Sequence, residues 1–219
     1  MEMALAAIAI GLIAVIVTLV AYLLSQGATV FAVSDLYLGR PTSIGQSFRR
    51  MWGELLSLLG VLILNGLAVF AGMLFLVIPG IYIACRLMVT VPAALLENIG
   101  PGDSLSRSFQ LTKDFAWRSF LIYLLYFVLV YAAASVFTLP LTIAAVQAQK
   151  NPAMWHFWLA LVQVGSFVAE TLVGPFLTIA AAVLYYDLRV RKEAFDLQVL
   201  MNPGGAGAAT PGSLPTMFP

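Results

Sequence analysis

Residues 55–96 read LLSLLGVLILNGLAVFAGMLFLVIPGIYIACRLMVTVPAALL, a run in which Arg86 is the sole charge. Crossing the hydrocarbon core as a helix takes about 20 apolar residues. The run therefore holds two crossings, about 55–77 and 81–96, parted at Pro79-Gly80, a breaker pair with room for a tight hairpin and nothing larger. Gly60, Gly66, Ala68, Ala71 and Gly72 give the first of these a small-residue surface suited to close helix packing. The same criterion applied outward finds three more spans, about 3–25, 115–139 and 155–186. The first stays apolar through Val33, so its helix is expected to project from the membrane before Asp35. Pro140 is expected to end or kink the fourth. The fifth exceeds the bilayer thickness and is expected to kink near Gly174-Pro175. The fold class is thus all-α: a polytopic helical membrane bundle of five spans over residues 1–201. Residues 202–219, rich in Gly, Pro and Ala, read as a disordered tail.

Composition agrees. Of 219 residues, 62% are apolar and 10% charged, where soluble domains carry about 25% charged, and the mean hydropathy is +0.98. Eleven Lys and Arg against ten Asp and Glu leave a formal +1, so no global field would gather nucleic acid. Cys85 stands alone, which excludes an intrachain disulfide and a Cys-rich zinc site. The first span lacks the basic flank of a signal peptide. His156, the single histidine, lies between Trp155 and Phe157 and close to Trp158, and reads as packing in an interfacial aromatic belt. No triad, phosphate loop or metal-binding carboxylate cluster is legible. The expectation is a non-enzyme without cofactor or metal.

Lysine and arginine concentrate in segments 35–54, 97–118 and 187–196, which are therefore expected on the cytoplasmic side, with the C-terminus there as well. Within the first two segments Ser43, Ser47 and Phe48 recur as Ser104, Ser108 and Phe109, an offset of 61, each group after a Gly/Pro turn and before a membrane hairpin. The repeated unit is an interfacial amphipathic helix plus two spans. The first span then resembles the second half of an earlier unit. In the first linker Thr42 or Ser43 can cap a helix whose Ile44, Phe48, Met51, Trp52 and Leu55 share one face; in the second, Asp103 or Ser104 can cap. Arg49, Arg50, Arg107 and Lys113 lie off the apolar stripes and are the candidate contacts for lipid headgroups, anionic ones above all.

The most distinctive string is Tyr185-Tyr186-Asp187-Leu188-Arg189-Val190-Arg191-Lys192-Glu193-Ala194-Phe195-Asp196. Asp187 with Arg191, Arg189 with Glu193 and Lys192 with Asp196 are opposite charges at i,i+4, which would carry the fifth helix beyond the membrane. The tyrosines fit an aromatic belt. The charged helix, with Asp187, Arg189, Arg191, Lys192 and Glu193, is a candidate docking element for a partner or for the linker helices. Two charges fall at membrane depth, Arg86 and Glu170, roughly 16 and 24 Å from the cytoplasmic ends of their spans at 1.5 Å per residue. Intramembrane ions are functional suspects by default. An Arg86–Glu170 pair, direct or through water, is expected to hold hairpins together, with Arg86 reaching to the outer face as the competing reading.

The order Ile78-Pro79-Gly80-Ile81-Tyr82, Arg86, Pro92 to Glu97, Ser104 to Thr112 and then the Tyr-Tyr-Asp-Leu-Arg-Val-Arg-Lys-Glu string resembles the bacterial membrane-domain family named after glycerophosphoryl diester phosphodiesterase. The likeness covers most of residues 35–197. It implies a multi-helical membrane protein of the bacterial plasma membrane without implying hydrolysis by the membrane part, and it implies a further linker helix and span before the first one. The function expected is non-catalytic: organising or sensing lipid, or serving as a membrane subunit for a partner protein or a second copy of itself. One alternative is a small transporter or channel with Arg86, Glu170, Asn65 and Gln163 along a polar path. Another is a membrane accessory of a phosphodiesterase.

Overall fold

The computed structural model describes residues 2–193, and every regular element in it is an α-helix. In chain order these are α1 (Glu2–Tyr37), α2 (Ile44–Phe75), α3 (Val77–Arg86), α4 (Thr90–Glu97), α5 (Pro101–Leu111), α6 (Ala116–Gln147) and α7 (Pro152–Glu193). Five stretches are long and apolar enough to cross a membrane: Ile8–Tyr37, Gly45–Phe75, Val77–Glu97, Ala116–Gln147 and Met154–Glu193. The chain is an all-α membrane protein. The expected tail at 202–219 and the Lys192–Asp196 pair lie outside the described residues.

Two compact units form. The first takes residues 2–116 with the end of α7 from 181 onward, and the second takes Trp117–Ala180. In the first unit Leu23 and Val30 of α1, Met51, Leu58 and Val61 of α2, and Ala94 and Leu95 of α4 make the buried apolar core. The second unit is a helical hairpin of α6 and the greater part of α7, closed by a turn at 148–151. A Cβ on Gly165 would stand 2.8 Å from the Phe137 carbonyl oxygen, so glycine lets the two helices touch there. Leu124, Leu125, Phe127, Phe167, Leu172 and Phe176 are exposed, which suits contact with lipid.

Two helix breaks differ from the expectation, and prolines explain both. A proline ring clashes with the carbonyl four residues earlier and leaves it without its N–H partner. Pro79 acts on Phe75, where α2 ends; Leu76 is extended (φ −170°, ψ 152°) and α3 starts at Val77. The turn thus precedes Pro79-Gly80, and Pro79 sits in the first turn of α3, where its missing N–H costs nothing. Gly80 serves close packing instead: a Cβ there would lie 2.9 Å from Met73 Cα. Pro92 acts in the same way on Met88, and the third span is broken over Leu87–Val89 into α3 and α4, directly after Arg86. Pro140 and Pro175 lie inside α6 and α7, which continue past them.

The two linkers differ from each other as well. The first is no separate interfacial helix, because α2 runs unbroken from Ile44 through the second span, with Ser43 as its N-cap residue. The second is the separate helix α5, with Gly100 at the N-cap and Pro101 at N1 in place of the expected Asp103 or Ser104 cap. Left-handed Asn98 (φ 52°) and Asp114 (φ 73°) turn the chain into and out of α5, residue types that tolerate this region. Of the small residues in span two, Gly60 meets Pro101 and Gly72 meets Gly80, while Gly66 has open space around it.

Candidate functional site: the polar cluster at the ends of α4, α5 and α7

Arg107 on α5 donates through Nε to both carboxylate oxygens of Glu97, at 3.0 and 2.8 Å, across the left-handed turn at Asn98. Its Nη2 lies 2.6 Å from Glu193 Oε1. Arg189 reaches the other oxygen of Glu193 at 3.2 Å and donates to the Tyr185 hydroxyl at 3.1 Å, and that hydroxyl donates to Glu97 Oε1 at 2.8 Å. The ring Glu97–Arg107–Glu193–Arg189–Tyr185 closes on itself with zero net charge. It is deeply placed: side-chain exposure is 2% for Glu97, 14% for Arg107 and 8% for Arg189, and Tyr185 is fully buried. Burial by itself would lower the Arg107 pKa, but the hydrogen bonds and charges of Glu97 and Glu193 outweigh it and raise the value above the ordinary one.

The string that begins at Tyr185 is the fastener. Arg189 and Glu193 grip α4 and α5, and Lys192 donates to the Gln110 carbonyl at 3.0 Å and stands 3.6 Å from Asp114. Tyr186 shares a 2.6 Å hydrogen bond with Ser34 and stacks on Tyr37, centroids 4.3 Å apart, which ties in α1. The expected docking element therefore docks on this chain's own linker and spans. Asp187 with Arg191 and Arg189 with Glu193 do pair at i,i+4. The tyrosines form no belt: both rings are buried and both hydroxyls hydrogen-bonded, as a buried phenol requires.

The candidate headgroup contacts divide. Arg107 is taken up by the ring, and Arg50 pairs with buried Asp35 at 3.2 Å while staying half exposed. Arg49 and Lys113 are exposed. Neither makes an ion pair with any described residue.

Arg86, expected beside Glu170, finds hydrogen-bond partners within the first unit. Its Nε donates to Thr112 Oγ1 at 3.1 Å, its Nη1 to the Tyr82 hydroxyl at 2.7 Å and its Nη2 to the Phe109 carbonyl. The cause is the break at Leu87–Val89, which places Arg86 at a helix end facing the last turn of α5, where carbonyls are left over. Lysine has no fork to answer three acceptors in three directions. Arg86→Lys should accordingly lower the thermal stability of the detergent-solubilised protein nearly as much as Arg86→Leu, and a wild-type melting curve for the lysine variant would refute this arrangement. Glu170, in the second unit, is exposed and lines a cavity of about 150 Å³ with Thr138, Ser166 and Ala169.

Sequence reasoning missed Asp35, Glu97, Tyr185 and Tyr186 as site residues. The acids had a signal, since Asp35, Glu97 and Asp187 follow the first, third and fifth apolar spans; the tyrosines had none that separates a buried hydroxyl from a belt. The chemistry available here is structural, four charges and a phenol neutralising one another in a closed circuit. Residues 65–200 match the family model described as the membrane domain of glycerophosphoryl diester phosphodiesterase.

The chain belongs to this family.

The matched segment runs from the middle of α2 through α7, and so contains every member of the ring. What matches is the membrane domain of glycerophosphoryl diester phosphodiesterase. No curated protein and no solved structure matches the chain.

Proposed function

We propose that the chain is a non-catalytic bacterial plasma-membrane domain that organises anionic lipid at its cytoplasmic face, where its C-terminus also lies. The observation that carries this reading is the division among the basic residues: Arg107, Arg189 and Arg50 are neutralised internally, while Arg49 near the start of α2 and Lys113 just after α5 stay exposed with no ion pair to a described residue. Each such cation beside an anionic leaflet contributes about 1 kcal/mol. The test is extraction in polymer nanodiscs with the native lipid and mass spectrometry of what stays bound. Replacing Arg49 and Lys113 by alanine should weaken retention of anionic lipid about 30-fold, from ~2 kcal/mol, without lowering thermal stability. An unchanged lipid profile would refute the reading.

The family match favours a second role, that of membrane subunit for a phosphodiesterase. It predicts a stoichiometric catalytic partner in the same nanodiscs, and repeated absence of one would count against it.

A further inference from the structure

We propose that a cavity between α1 and the first turns of α2 binds a phosphate group, of the kind a phospholipid headgroup carries. The proposal deepens the lipid-organising reading, through residues other than Arg49 and Lys113.

The repeated linkers supply the argument. In the second copy, the break after α3 takes the Arg86 carbonyl out of the helical ladder, because the Thr90 N–H bonds to the Leu87 carbonyl at 3.1 Å instead. Ser108 and Thr112 hydroxyls donate to that freed carbonyl at 2.8 and 2.9 Å. The Arg86 side chain fills the groove beside them, its guanidinium carbon 5.0 Å from the centre of the Phe109 ring.

The first copy lacks both devices. Helix α1 is unbroken from Glu2 to Tyr37, so no freed carbonyl awaits Ser47, which stands 61 residues before Ser108. The residue 61 before Arg86 is Ser25, whose short side chain fills no groove and whose carbonyl accepts from Thr29 Oγ1 at 2.7 Å. What remains is a cavity of about 270 Å³ lined by Ser25, Thr29, Thr42, Ser47 and Phe48 among others. Ser47 is 3% exposed, and its Oγ has no hydrogen-bond partner among the described residues. An unsatisfied buried hydroxyl is costly, and here it belongs to a residue that lines an open space.

The walls offer hydroxyl donors and no seat for a guanidinium. The groups that hold the guanidinium in the second copy have no counterparts: Thr112 corresponds to Met51, Tyr82 to Ala21, and the carbonyl of Phe109 to that of Phe48, which lies inside a continuing helix. Four hydroxyl residues remain with Ala28, Ala32 and Phe48; the Thr29 proton is taken by the Ser25 carbonyl, which leaves the hydroxyls of Ser25, Thr42 and Ser47 to donate, beside the start of a 32-residue helix whose N-cap Ser43 makes no side-chain capping bond. The Gln46 and Ser47 N–H groups bond to the Ser43 carbonyl, which leaves those of Ile44 and Gly45, next along the chain from the lining residue Thr42, as the helix-start donors open to an anion. Among the described residues no acidic side chain lines the cavity. Its lining residues come from the apolar stretches Ile8–Tyr37 and Gly45–Phe75 and from Thr42 between them.

The full chain, delipidated in detergent, is titrated with phosphatidylglycerol, with diacylglycerol of the same acyl chains and with inorganic phosphate, and read by thermal shift and native mass spectrometry. Phosphatidylglycerol should stabilise the wild type and diacylglycerol should not. Ser47→Ala should bind the phospholipid about tenfold more weakly, yet melt no lower than wild type without ligand, since its Oγ has no internal partner to lose. Ala32 also lines the cavity, and Ala32→Leu, which would fill it, should abolish binding. Equal stabilisation by inorganic phosphate would support the site and assign it to a soluble phosphate source. Wild-type phospholipid binding by both variants would overturn the proposal, as would a destabilised unliganded Ser47→Ala. Lipid loss on replacing Arg49 and Lys113 with Ser47→Ala unaffected would sink the cavity and leave the lipid-organising role standing; the opposite pattern would do the reverse.

Discussion

Replacing Glu97 by alanine should cost about 3–5 kcal/mol, the penalty for leaving buried charges uncompensated. The carboxylate shares the Arg107 Nε–H between its two oxygens, accepts from Tyr185 and lies 3.9 Å from Arg189, so its loss leaves Glu193 alone to balance two largely buried guanidiniums and leaves the phenol without its acceptor. Glu97→Gln keeps an acceptor but leaves the ring with net positive charge, and should fall between wild type and alanine. Thermal or chemical unfolding in detergent measures both. The decisive comparison is Arg107→Ala in the two backgrounds: it should cost much less once Glu97 is gone, because partners in one network are not additive. Equal costs in both backgrounds would mean that the ring carries no coupling.

The second large effect is expected at Gly80. A side chain there must displace backbone, since its Cβ would stand 2.9 Å from both Met73 Cα and Met73 N. Overpacking in cores costs about 1–3 kcal/mol where side chains can adjust, and a clash with backbone should exceed that. Gly80→Leu should force α3 off α2 and prevent accumulation of folded protein. Gly66→Ala is the control: nothing lies within 4 Å of its Cβ, so relief of glycine's helix penalty should leave stability equal or raised by up to about 1 kcal/mol. Matching expression and melting for the Gly80 and Gly66 variants would refute close packing at the α2–α3 turn.

Both predictions concern residues whose type was plain in the chain and whose work was not. Gly80 reads as a turn former beside Pro79, yet the clash of a proline ring falls four residues upstream, so the turn is at Leu76 and the glycine is left to contact. The same offset from Pro92 breaks the third span and frees the Arg86 carbonyl. Arg86 was visible as a membrane-depth charge, but its partners Thr112, Tyr82 and Phe109 are set by that break.

Taken alone, the order of residues determined that this is a helical membrane protein, that five of its stretches are long and apolar enough to cross a membrane, and which family it belongs to. Those properties follow from local quantities: the length of apolar runs against a fixed bilayer thickness, and motif order along the chain. Only the tertiary structure decided which charges are spent. Arg107 and Arg49 are both linker arginines, yet one is locked between Glu97 and Glu193 and the other is exposed. Likewise Ser47 and Ser108 are the same letter at the same place in a repeat, and only the unbroken α1 leaves the first without a partner. A hydrogen bond or ion pair depends on where two distant backbones meet to within an ångström, and periodicity along one helix carries no information about that distance.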